Sequence, residues 1–145
     1  MKFVDILYKK SDGIARITIN RPEVYNAIRG LTTDEMSEAL VNASTDPDIR
    51  VAVIAGTGSN AFCSGRDQSE DPTTTEYSGS SELSVNELIR TMPQLVIAMV
   101  DGFAIGSGNI LAYMCDFTIA SERSTFGQTG PRVGSPATGW EIGYL

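Results

Sequence analysis

Apolar and polar positions along the chain change period repeatedly, and those changes mark out strands and helices. Phe3 to Lys9 and Ile14 to Asn20 read as two strands joined at Ser11-Asp12-Gly13, a hairpin signal. In the second, Ala15, Ile17 and Ile19 alternate with Arg16 and Thr18, the period of two of a half-buried strand. Pro22 lacks a backbone donor and ends it. Thr32-Thr33-Asp34-Glu35 carries helix-start residues, with either threonine as N-cap and acids in the first turn. Met36, Leu40 and Ala43 continue as a helical stripe until Asp46-Pro47-Asp48. Val51 to Ala55 and Val96 to Val100 are wholly apolar, the pattern of parallel strands; the second run suits a strand covered on both faces. Between them, residues 69–81 are poor in apolar side chains and read as a long loop, followed by a helix from Glu82 to Met92. Ile110, Leu111, Tyr113 and Met114 suggest a mostly buried helix, and Cys115 to Ala120 a strand. Residues 125–136 carry too many Gly and Pro for regular structure. Strands alternating with helices predict βαβ units, an α/β fold with right-handed crossovers.

The turn from Val100 to Ile110 holds the most suggestive chemistry. Gly102, Gly106 and Gly108 lie between a strand and a helix start. Glycines there let a ligand approach backbone N–H groups that the helix itself does not use. The helix dipole makes that end attractive to negative charge, so an oxyanion or a phosphate suits it, and a bare tight turn would look the same.

Composition narrows the chemistry. The chain has no histidine, which excludes Ser-His-Asp and Cys-His catalysis within it. Cys63 and Cys115 have no metal-binding spacing and are expected to be reduced thiols. A net charge of −7 without a long basic run argues against nucleic acid as a partner. No apolar run reaches the roughly 20 residues of a membrane span, and Met1-Lys2-Phe3-Val4-Asp5 is unlike a secretory leader, so the expected location is cytoplasmic.

Four motifs then combine: Asn20-Arg21-Pro22…Asn26-Ala27; Ala61-Phe62-Cys63-Ser64-Gly65-x-Asp67; Val96-Ile97-Ala98…Gly102-x-Ala104-x-Gly106-x-Gly108; and Cys115-Asp116-x-Thr118-Ile119-Ala120-Ser121. In this order and spacing the chain resembles the crotonase (enoyl-CoA hydratase/isomerase) superfamily. Asp67-Gln68 and the run from Phe126 to Ser135 resemble its 1,4-dihydroxy-2-naphthoyl-CoA synthase group and, equally, its 2-ketocyclohexanecarboxyl-CoA hydrolase group. The resemblance implies a crotonase-like (ClpP/crotonase) spiral of ββα units. Residues 1–145 would form a partial acyl-CoA-binding domain, truncated before the family's C-terminal helical part. It implies an acyl-CoA substrate, an enolate intermediate, and homo-trimers or hexamers. It implies no tightly bound cofactor: CoA is part of the substrate, and bicarbonate is an auxiliary base in some members. The alternative is a catalytically inactive acyl-CoA-binding remnant.

Roles follow by matching position. The backbone N–H groups of Arg66 and Ser107 would hold the thioester oxygen, beside Gly106. Ser107 stands where the family has the middle glycine of three, so its Cβ is expected to narrow the approach and penalise a positive φ. Asn26, Ala27, Ser64, Gly65, Asp67 and Gln68 would line the CoA groove, and Arg29 would meet a CoA phosphate. Tyr77 and Ser135 would face the substrate. Gln128, Thr129 and Gly130 would flank the bicarbonate position. The two glutamates of a true hydratase fall at Ile110 and Gly130, and the aspartate of the synthase group falls at Ala137.

Overall fold

After an opening hairpin that lies wholly in a large sheet, each helix is followed by one strand added to that sheet and one to a small sheet. The computed structural model describes residues 2–69 and 80–132. The hairpin comes first: β1 (Ile6–Ser11) pairs antiparallel with β2 (Ile14–Ile19) through the two-residue turn Asp12-Gly13. Both turn residues have positive φ, 55° and 77°, as such a turn requires. Helix α1 (Gly30–Ser44) leads to β3 (Val51–Gly56) and β4 (Ala61–Cys63). Helix α2 (Ser80–Thr91) leads to β5 (Leu95–Val100) and β6 (Phe103–Ile105). Helix α3 (Ser107–Met114) leads to β7 (Phe117–Ala120) and β8 (Thr125–Gly127). The large sheet has the order β1-β2-β3-β5-β7 and the small one β4-β6-β8. All pairings after the hairpin are parallel. This is the expected spiral of ββα turns.

The small sheet is a correction to the sequence reading. Its strands have only three residues each, too few to show a period of two, and two of them lie in stretches that read as a Gly-rich turn and an irregular loop. Helix α1 also starts earlier than Thr32 or Thr33. Arg29 is extended and is the N-cap, and its N–H donates to Thr32 Oγ1 at 3.2 Å. Thr33 Oγ1 donates to the Gly30 carbonyl at 2.7 Å, within the first turn.

The core lies on one face of the large sheet. Ile17, Ile19, Ile54, Val96, Ala98 and Val100 point inward and meet Met36 and Leu40 of α1, Val85 and Ile89 of α2, and Leu111 of α3. A fully buried aliphatic side chain contributes about 1.5–3 kcal/mol, so this cluster supplies most of the drive to fold. The other face corrects the expectation of cover on both sides. Residues of all three helices join the same inward cluster, and among the described residues Leu95 and Met99 of β5 and Phe117 and Ile119 of β7 remain half exposed. No helix among the described residues is long and apolar enough to cross a membrane.

Candidate functional site

Two peptide turns meet where the small sheet joins α3. The first is Cys63-Ser64-Gly65-Arg66, leaving β4; the second is Ile105-Gly106-Ser107, between β6 and α3. Gly65 has φ 106° and Gly106 has φ 56°, conformations that side chains oppose. They also face each other closely. A methyl group on Gly65 would lie 2.9 Å from the Ile105 carbonyl oxygen and 3.8 Å from the Ser107 nitrogen. One on Gly106 would lie 3.9 Å from both the Gly65 Cα and Gln128 Oε1. The structure thus brings Gly65, Arg66, Gly106, Ser107 and Gln128 into one place.

Ser107 fits this turn without strain. The positive φ falls on Gly106, and Ser107 is the first residue of α3. The expected penalty at position 107 does not arise, because the chain turns one residue earlier. Gly108 is the residue that must lack a side chain, since a methyl group there would lie 2.2 Å from the Cys63 carbonyl oxygen.

On the other side, Ile28 and Arg66 form an isolated parallel bridge. Ile28 N–H donates to the Gly65 carbonyl and Asp67 N–H to the Ile28 carbonyl, each at 2.8 Å. In that pattern the N–H and C=O of Arg66 face away from Ile28. Beside Ser107 lies a cavity of about 30 Å³, lined by Ile28, Met36, Val85, Ile110 and Leu111 with the polar Thr33, Asn86 and Ser107. The sequence marks Thr33 only as a possible N-cap and does not mark Asn86, because their place on a wall depends on how α1 and α2 cross α3.

Several expected groove residues have their side chains engaged within the protein. Asn26 is fully buried with φ 55°; its carboxamide accepts from Arg21 N–H at 3.0 Å and donates to the Thr57 and Ala61 carbonyls at 3.0 and 2.7 Å. It braces the loop from below, next to the buried Ala27. Arg29 donates from Nε and Nη2 to the two Asp5 oxygens, both at 2.7 Å, which turns its guanidinium toward the first strand. Ser64 Oγ donates to the Val24 carbonyl at 3.4 Å, and Gln68 Nε2 to the Arg66 carbonyl at 3.2 Å. The Thr129 backbone carbonyl accepts from Arg132 N–H at 2.9 Å, and Gly130 opens the short 3-10 turn Gly130–Arg132. Ile110, at the position that the resemblance matches to a hydratase glutamate, lines the cavity. Tyr77, Ser135 and Ala137 lie outside the described residues.

Neither thiol suits catalysis by a thiolate. Cys63 is buried in β4, and burial pushes the Cys115 thiol up to about 12. The carboxylates beside the site are held ionised. Asp67 sits at about 2, lowered by the Ser69 hydroxyl and amide and then by Arg21, against the effect of its burial. For Asp5, burial would raise the value, but hydrogen bonds from Arg29 and Thr32 and the charges of Arg29 and Arg21 outweigh it. A depressed native value stabilises the fold above the unfolded value near 3.8 and is lost as pH falls toward 2. For Asp67 this amounts to about 2 kcal/mol. Urea melts between pH 4 and pH 2 should show stability falling with pH, less steeply in Asp67→Asn. Exposed Asp101, held near 2 by Arg123 and Ser121, titrates in the same window, so the measure is the difference between variant and parent. Equal slopes would show that the Asp67 contacts add nothing.

Comparison with known proteins gives a consistent answer. A family model described as enoyl-CoA hydratase/isomerase matches residues 9–145. An enoyl-CoA hydratase/carnithine racemase from Magnetospirillum magneticum superposes with a TM-score of 0.89 at 27% identity, over 99% of this chain and 56% of its own. An enoyl-CoA hydratase from Mycobacterium avium subsp. paratuberculosis K-10 gives 0.80 at 31% identity, over 87% and 50%. One from Bacillus anthracis gives 0.83 at 27%, over 90% and 52%. The chain spans about half the length of these relatives.

Proposed function

This chain belongs to the enoyl-CoA hydratase/isomerase family, and from that premise we propose that it binds an acyl-CoA at the Gly65–Arg66 and Gly106–Ser107 turns. The Arg66 and Ser107 N–H groups then hold the thioester oxygen as negative charge develops on it. The observation that carries this reading is the close approach of the two glycine turns beside the apolar cavity. A helix N-terminus supplies one donor and a strand end the other, so neither side chain takes part. Removing one such donor costs roughly 3–4 kcal/mol in rate at comparable sites.

The reaction class follows from what is missing. Ile110 and Gly130 transfer no proton, which argues against hydration by a glutamate pair. We read the chemistry as making or breaking a carbon–carbon bond in a cyclic or aromatic acyl-CoA, through an enolate. In this reading Gln128 and Thr129 hold bicarbonate beside Gly130 as the base. Assembly as a trimer or hexamer belongs to the same reading, and the half-exposed Met99, Phe117 and Ile119 support association with further polypeptide. A second reading, an acyl-CoA-binding protein without turnover, is favoured by Ile110 facing the cavity where an acid would be useful.

Calorimetric titration tests the binding. The chain should bind benzoyl-CoA saturably and more tightly than acetyl-CoA. Ser107→Pro should weaken binding about tenfold, since proline is tolerated at the first helical position but removes one hydrogen bond, worth about 1.4 kcal/mol. No binding at millimolar thioester sinks the proposal. Deuterium uptake at the α-carbon of phenylacetyl-CoA in D2O separates the readings: uptake supports enolate formation, and binding without uptake supports the second.

A further inference from the structure

The bridge that sets Arg66 opposite Ile28 is gripped by one side chain. Arg21 Nη1 donates to the Ala27 carbonyl at 2.6 Å and Nη2 to Asp67 Oδ2 at 2.8 Å. A single guanidinium therefore ties the residue before Ile28 to the residue after Arg66. The second Asp67 oxygen accepts from Ser69 N–H and Oγ at 3.0 and 2.7 Å. Behind Arg21, its Nε lies 3.7 Å from Asp5 Oδ2, and Asp5 is gripped in turn by Arg29 and Thr32. The side chains of Arg21 and Asp67 are 11% and 10% exposed. An exposed pair at such a place would hold little. A desolvated pair with a planar fork fixes both distance and angle.

We propose that the Arg21–Asp67 ion pair is the positioning device of the oxyanion site, holding the Arg66 peptide in register so that its N–H is aimed at the thioester oxygen. This rests on the reading of Arg66 and Ser107 as the two donors. The Arg21 guanidinium and the Asp67 carboxylate are turned to each other, to the Ala27 carbonyl and to Ser69, so both act through the Arg66 peptide. Arginine is required because its two nitrogens grip a carbonyl and a carboxylate at once, which a lysine ammonium on its single stem does not reproduce. An aim error of about 1 Å at a reacting group is enough to cost on the order of 100-fold in rate. Ligand binding, spread over the CoA moiety, is far less sensitive.

A conjugated thioester reports aim separately from affinity, because its absorption moves to the red when its carbonyl is polarised. The full chain should bind cinnamoyl-CoA with such a shift. Arg21→Lys should melt cooperatively and bind within about threefold of the parent, under 1 kcal/mol, yet lose at least half of the shift, and Asp67→Asn should melt cooperatively and lose as much of it. Ser107→Pro, which deletes the other donor and leaves the ion pair intact, should lose it too. Full shift in a folded Arg21→Lys or Asp67→Asn chain overturns the positioning role. So does loss of cooperative melting in both variants, because the pair would then hold the fold and not the aim. Binding by the parent with no shift overturns the reading of the two donors, and the positioning role with it.

Discussion

Gly108→Ala is expected to destabilise the protein by roughly 3 kcal/mol, the upper end for forcing atoms into a packed interior. The new Cβ would lie 2.2 Å from the Cys63 carbonyl oxygen and 2.8 Å from its Cβ. Both neighbours belong to β4, which is fully buried, so no flexible side chain can give way. Alanine favours a helix over glycine by about 1 kcal/mol, which is too little to offset the clash. Relief requires the first turn of α3 to move away from β4 by about an ångström, and that turn carries Ser107. Stability and thioester binding should therefore fall together. Urea denaturation gives the first and titration with benzoyl-CoA the second. A variant within 1 kcal/mol of the parent in stability would show that α3 is not pinned to β4 as described.

The same contact explains what the sequence could and could not reveal. The hairpin was legible because period-two alternation flanks Asp12-Gly13, and β3 and β5 because Val51–Ala55 and Val96–Val100 are apolar throughout. The small sheet was not, since Ala61–Cys63, Phe103–Ile105 and Thr125–Gly127 pair only with one another across long stretches of chain. The site residues divide in the same way. Gly106 is readable as a glycine that a tight turn needs, and Gly65 only through the family motif. That they face each other depends on the spiral. Arg29 is a phosphate ligand only by its matching position in the family; its contact with Asp5, just before β1, is set by tertiary structure, and no local pattern links the two. Arg21 looked like part of a strand-ending Asn-Arg-Pro, yet its contacts join residues 27 and 67. Charge partners chosen by tertiary structure leave no spacing to read.

Glu35→Ala is expected to cost about 4 kcal/mol, from two buried donors at about 2 kcal/mol each. The Glu35 carboxylate, on the inner face of α1, accepts from the N–H groups of Val4, Asp5 and Ile6 at 2.7, 2.8 and 3.2 Å. Asp5 and Ile6 are both 2% exposed, so water cannot replace the lost acceptor. Glu35 is thus the anchor that docks the first segment on α1 and keeps Asp5 within reach of Arg29 and Arg21. Loss of the anchor should propagate along those contacts to Asp67, because residues sharing one buried network do not act independently. Glu35→Gln keeps the shape and one acceptor oxygen but presents an amide to the donors, so its cost should be about half, near 2 kcal/mol. The double variant Glu35→Ala with Arg21→Lys should cost less than the sum of the two singles, since the first already loosens what the second removes. Chemical denaturation of the four proteins measures this. Strict additivity would mean that the anchor and the Arg21 grip are separate structures, and an Ala variant no less stable than the Gln variant would remove Glu35 from the role altogether.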